Sequence, residues 1–238
     1  MIPLYDNVPR VHPPYSVLAI ILLNVLAFGY EVSLSPQEQA YFFHLYGMVP
    51  ARFSDPSWAA WAGYPSEPIL PLLSYMFLHG DWLHLLLNMW MLWIFADNIE
   101  DVTGHVRFLV FYVCCGLAAV ALHALFNLGS SIPIIGASGA VAGVLGAYFV
   151  LYPHGRVSTL IFVVVLPIRA VVFLGIWFVM QVLYGIQDGN GQVSDVAWWA
   201  HVGGFLAGML LIRVFRLKDR CYYCYNPERR YYDLQDRD

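Results

Sequence analysis

The sequence predicts an all-α polytopic membrane protein, a single bundle of six transmembrane helices. Three observations carry that expectation. Apolar residues make up 60% of the chain, charged residues only 12%, and the mean hydropathy is +0.61, against soluble averages of roughly half apolar and about a quarter charged. Uncharged stretches recur at about the length that crosses a bilayer, and the run from Phe108 to Gly155 holds no Asp, Glu, Lys or Arg. At 238 residues the chain accommodates several such spans with short connections but no large second domain.

The first expected span covers 14–30. Arg10 before a short apolar core could suggest a cleaved signal, but Pro13 and Pro14 interrupt the approach and no small-x-small site follows, so it is read as retained. The longest connection runs from Glu31 to Pro71, and its Phe42, Phe43, Trp58, Trp61 and Tyr64 among Gly and Pro suit either a segment dipping into the membrane interface or a loop with aromatic anchors. Spans two, three and four are expected at 72–96, 107–127 and 136–152. Joining the β-branched run VSTLIFVVV to the fifth span would bury Pro167 and Arg169 inside one overlong helix. The fifth span is therefore started at 169 and ended at 187, and Val157–Ile168 is expected to be extended or re-entrant at the interface. The sixth covers 196–214, which gives a membrane domain over 1–216 and a basic tail over 217–238.

Charge orients the bundle. Arg10, Arg107, Arg156 and the tail cations Arg213, Arg216, Lys218, Arg220, Arg229, Arg230 and Arg237 all fall on one side. The opposite side has Arg52 with Glu31, Glu38, Asp55, Glu67, Asp188 and Asp195, so both termini are expected in the cytoplasm.

Polar side chains within spans are costly and point to function. They are few: His79, His84 and Asn88 in the second run, His123 in the third, Ser138 in the fourth, Gln181 in the fifth and His201 in the sixth. Pro133 and Gly136 delay the fourth helix, so Ser138 falls in its first turn, among unsatisfied amides at the positive end of the dipole. By alternation of spans, His201 near the start of the sixth helix reaches the same depth. Gly139 with Gly143, and Gly204 with Gly208, form two GxxxG pairs that permit close helix approach, and His201 shares the face of Gly204 and Gly208. A serine becomes a nucleophile when a histidine removes its proton. The oxyanion that follows needs donors, and His84 and Asn88, four apart on one helix face, could supply two beside the Ser138 amide.

Each residue also has an ordinary reading. A serine among small residues most often packs or bonds back to its own helix, and a lone buried histidine is more often a hydrogen-bonded core residue than a base. Their conjunction at one depth favours chemistry. His79, offset from His84, reads as structural, and His123 as a core or interfacial residue.

The chain resembles the rhomboid intramembrane serine proteases. HGDWLHLLLNMW at 79–90, GASGAVAGVLGAY at 136–148 and AHVGGFLAG at 200–208 follow that family's motifs in order, with further similarity from the opening residues to about Arg216. The resemblance implies that Ser138 is the nucleophile, that His201 is its base in a dyad without an acidic member, and that His84 and Asn88 line the oxyanion hole. It implies further that Gly136 and Gly139 let the loop approach Ser138, that Glu100 braces the interior, and that the fifth span with Trp177 and Gln181 forms a mobile wall beside which a single-pass transmembrane substrate enters. The first loop of this six-helix bundle would be a partly embedded hairpin, and the cut would fall near the outer membrane face. One departure stands out: where some members place a bulky aromatic against the histidine, this chain has Ala142, and what holds the ring is open. The compact six-span layout resembles prokaryotic members, which implies the cell membrane.

The alternative is a non-proteolytic relative that binds membrane clients, although such proteins normally lack the serine or the histidine. No internal repeat suggests a transporter, and the HExxH of a metalloprotease is absent. Zinc on His84 and His201 would have only Asn88 as a poor third ligand. No cofactor, metal or nucleic-acid partner is expected; the expected partners are transmembrane substrates and the lipid bilayer. Cys114 and Cys115 read as packing residues. Cys221 and Cys224 form half a zinc motif in a tail expected to be solvated near headgroups, with Tyr222 and Tyr223 at the interface.

Overall fold

The computed structural model describes residues 1–66, 69–189, 196–217 and, in the tail, 220, 223–226, 228 and 231–234. Glu67, Asp195, Lys218, Cys221, Tyr222, Arg229, Arg230, Arg237 and the side chains of Tyr223 and Cys224 lie outside the described residues.

The chain opens with strand β1 (Ile2–Asp6) and helix α1 (Tyr15–Glu31). Four short helices follow: α2 (Pro36–Tyr46), α3 (Pro50–Ser54), α4 (Pro56–Trp61) and α5 (Pro71–Ser74), the last continued by a 3-10 turn over Tyr75–Phe77. Then come α6 (Trp82–Thr103), α7 (His105–Phe126), α8 (Ser138–Leu151), strands β2 (Arg156–Ile161) and β3 (Val164–Arg169), α9 (Ala170–Gly189) and α10 (Trp198–Phe215). Strands β4 (Tyr223–Asn226) and β5 (Tyr231–Leu234) lie in the tail. The protein is a helical membrane bundle: α7, α9 and α10 are long and apolar enough to cross a bilayer, and α1 and α8 are shorter apolar helices.

Helix α8 is the axis of the bundle. Every residue from Gly139 to Tyr148 is buried, as expected of a helix that is apolar all round. Its 14 residues span about 21 Å at 1.5 Å per residue, less than the roughly 30 Å of a hydrocarbon core. It is therefore too short to cross such a core alone.

The second expected run divides. Residues 71–77 form α5 and the 3-10 turn, and α6 begins only at Trp82, where the Asp81 side chain accepts the His84 N–H at 2.8 Å. That N-cap sets the helix start, and α6 then continues past 96 to Thr103, ending at Gly104 with φ 76. His79 consequently precedes the helix; it is buried, and its backbone N–H donates to Glu31.

The acidic last turns of α6 knit the leader to the bundle. Glu100 accepts the N–H groups of Ser16 and Val17 at 2.8 and 2.9 Å, capping α1, and holds His105 Nδ1 at 2.5 Å. Asp101 accepts the N–H groups of Val11 and His12, and Asp97 pairs with Arg10 at 3.3 Å.

The segment 157–168 is extended, as a hairpin of β2 and β3 turning at Phe162, which has φ 54. Strand β1 joins it antiparallel to make a sheet ordered β1-β2-β3, an element beyond the helices expected from the sequence. The sheet leans on α6 through the Trp90 indole N–H, which donates to the Pro3 carbonyl at 2.7 Å. Within the tail β4 pairs with β5, and Tyr232 is packed rather than solvated, buried edge-on against Tyr152 at 5.5 Å.

The first loop is helical and well packed. Ser35 and Glu38 form a capping box for α2. Arg52 is buried, its guanidinium 5.2 Å from the Tyr64 ring and donating to the Leu45 and Pro65 carbonyls. Met48 and Ile134 exchange backbone hydrogen bonds, and the Ala51 N–H donates to Ser130. The loop thus braces the segment leading to Ser138.

Candidate active site

Ser138 opens α8 and is half-buried, while His201 lies one turn inside α10 and is buried. Ser138 Oγ is 2.8 Å from His201 Nε2. The approach is possible because the two GxxxG pairs interlock. A methyl on Gly204 would overlap the Gly139 carbonyl, and one on Gly208 would overlap the Gly143 carbonyl. On the other flank of α8, Gly139 meets Ala119 and Gly143 meets Cys115, both on α7, so Cys115 is a packing residue. Small residues on both helices let backbones come close enough for a short side chain to reach the imidazole.

The loop before Ser138 is shaped by Gly136, at φ 117, whose N–H donates to the Tyr75 carbonyl at 2.9 Å. A Cβ at Gly136 would stand 2.6 Å from His84 Nε2 and 3.8 Å from Asn88 Nδ2. The two side chains from α6 therefore converge beside the turn that delivers the serine. The Asn88 amide also donates to the His84 carbonyl at 3.1 Å, which orients it. Tyr75 is in turn anchored by its hydroxyl to the Gly116 carbonyl at 2.8 Å.

The His201 ring is held on the side facing away from the serine. Nδ1 lies 2.8 Å from Gln181 Oε1 on α9, and the rings of Trp177 and Trp198 stand 5.9 and 6.0 Å away. Ala142 is buried between α8 and α10 with its methyl against Gly204, so the aromatic support comes from α9 and from α10 itself. This answers what holds the ring. Gln181 and Trp177, four apart, share one face of α9, and that spacing was the available signal.

His79 contacts His84 ring to ring at 5.0 Å, behind the site. His123 lies on α7, where its carbonyl accepts from the Asn127 amide at 3.0 Å.

Around this cluster of Ser138, His201, His84 and Asn88, residues 66–218, more than half of the chain, match the family described as Rhomboid domain. The chain belongs to the rhomboid family. Among curated relatives, the rhomboid is 27% identical over 220 residues to Rhomboid protein 1, mitochondrial, of Saccharomyces cerevisiae, covering 87% of this chain and 56% of the relative. It is 34% identical over 140 residues to RHOMBOID-like protein 4 of Arabidopsis thaliana, covering 59% of this chain and 32% of that protein. To the Presenilin-associated rhomboid-like protein, mitochondrial, of Mus musculus it is 30% identical over 155 residues, 62% of this chain and 39% of the relative. The rhomboid thus spans between 32% and 56% of the length of these relatives.

Proposed function

We propose that this rhomboid is an intramembrane serine endopeptidase that cleaves single-pass transmembrane proteins near the outer face of the membrane. The observation that carries the reading is the 2.8 Å contact between Ser138 Oγ and His201 Nε2. Ser138 Oγ attacks the scissile carbonyl carbon while Nε2 takes its proton. The oxyanion is met by the Ser138 N–H, unpaired in the first turn of a helix, together with His84 and Asn88. Collapse expels the amine with the proton from Nε2 and leaves an acyl-enzyme, which water activated by the same nitrogen hydrolyses. The half-buried position of Ser138 supports access by water.

A helical substrate must release its carbonyls from their own hydrogen bonds, which favours segments weakened by Gly or Pro. The excess of Lys and Arg beside the termini supports an orientation with both ends, and the tail over 217–238, in the cytoplasm, and the resemblance of the compact six-span layout to prokaryotic members supports the cell membrane. The test is cleavage of a single-span substrate by purified protein in liposomes, with the cut mapped by mass spectrometry. Wild type should cut near the outer face, and Ser138→Ala and His201→Ala should not. Cleavage that survives Ser138→Ala would falsify the assignment, and no cleavage by wild type across several substrates would favour client binding.

A further inference from the structure

Resting on the reading of Ser138 and His201 as a dyad, we propose that Gln181 is a positioning residue that selects which imidazole nitrogen of His201 carries the proton. A neutral imidazole has one N–H and one bare nitrogen, and only the bare nitrogen accepts from a serine. His201 offers Nε2 to Ser138 and Nδ1 to Gln181 Oε1, each at 2.8 Å. An amide oxygen only accepts, so Nδ1 carries the hydrogen and Nε2 is the bare nitrogen.

The amide is itself oriented. Gln181 Nε2 donates to the Trp177 carbonyl at 3.1 Å, one turn back on α9. Turning the amide over would set Oε1 against that carbonyl, acceptor to acceptor, and point an N–H at the ring. His201 would then adopt the other tautomer and donate to Ser138, and no base would remain. A backbone carbonyl thus sets an amide, and the amide sets the tautomer. In soluble triads a carboxylate performs this task. A neutral amide does so here without placing an ionised group inside the bilayer.

The same contact ties the base to a third helix. Ser138 and His201 stand on α8 and α10, whereas Gln181 and its orienting carbonyl both belong to α9. The base is therefore set only while α9 is packed against α10.

Labelling of Ser138 with a small fluorophosphonate reads its nucleophilicity without a transmembrane substrate. Gln181→Met keeps length and volume but offers only a weak thioether acceptor; Gln181→Glu keeps the strong oxygen acceptor. The limiting inactivation rate at saturating probe, measured below the melting temperature of each variant, should fall at least about tenfold in Gln181→Met, the low end of what a misdirected base costs. Gln181→Glu should recover most of it. A wild-type rate in Gln181→Met, or equal losses in both variants, overturns the role of Gln181 and leaves the dyad standing. Labelling of wild type no faster than of Ser138→Ala overturns the dyad itself.

Discussion

Gly208 on α10 lies against the carbonyl oxygen of Gly143 on α8, so close that a methyl group on the former would overlap the latter. One turn toward the site, Gly204 stands in the same relation to Gly139. Because Ser138 and His201 ride on these two helices, the glycines decide whether the serine reaches the imidazole.

Gly208→Ala is expected to destabilise the fold by about 1–3 kcal/mol, the usual range for overpacking, and Gly204→Ala by a similar amount. The two should differ in activity, with Gly204→Ala losing more because it wedges the helices at Gly139, beside Ser138, and one turn from His201. Gly29 on α1 is the control, since a Cβ there meets nothing within 4 Å. Gly29→Ala should stabilise by roughly 0.5 kcal/mol through helix propensity. Thermal melts in one detergent compare all three, and a Gly208→Ala melt at or above wild type would contradict the interlock.

Gly136→Ala should act on the chemistry more than on the fold. Its φ of 117 is a region that L residues rarely adopt, costing about 1–3 kcal/mol, and its Cβ would press on His84 Nε2 from 2.6 Å. With His84 displaced, fluorophosphonate labelling of Ser138 should fall by about 10²-fold, as when one oxyanion donor is removed. A variant that melts lower yet labels normally would separate Gly136 from the oxyanion site.

Much of this was legible because it is local. The long helices follow from uncharged runs, and Ser138 could be placed in a first turn from Pro133 and Gly136 before it. The interlocked glycines follow from spacing on each helix. What was not legible depends on distant pairing. β1 pairs with β2 across more than a hundred and fifty residues, and nothing in VSTLIFVVV names its partner. Gln181 could be marked as a polar residue in a span, but its contact with His201 requires the rotation of α9 about its axis. Asp97 and Asp101 acquire their partners, Arg10, Val11 and His12, only from the path of the N-terminal residues past them.

Glu100→Gln tests that leader. The carboxylate accepts from Ser16, Val17 and His105, and an amide would leave one of those donors facing another donor. The expected cost is about 1–3 kcal/mol, with α1 loosened and the dyad geometry unchanged. Earlier proteolysis of the first 31 residues, with the Ser138 labelling rate of the intact protein preserved, is the predicted signature. Loss of labelling in folded protein would instead assign Glu100 a part in the chemistry.

Asp6 predicts how stability depends on pH. Burial against the bundle raises its carboxyl from the ordinary 3.8 to about 7; Asp97 pushes the same way, and the hydrogen bond from the Tyr148 hydroxyl opposes them. The folded chain therefore holds a proton that the unfolded chain has already released over that interval. The sign follows from linkage: where the native state binds more protons, unfolding becomes easier as pH rises. The stability that Asp6 contributes is full below about 4 and is lost as pH climbs through about 7, after which the curve is flat. Asp6→Asn cannot ionise, so the difference in melting temperature, variant minus wild type, should grow between those limits. Parallel melting curves for the two proteins across pH 4 to 8 would show that Asp6 is solvated and that β1 does not press it against α8.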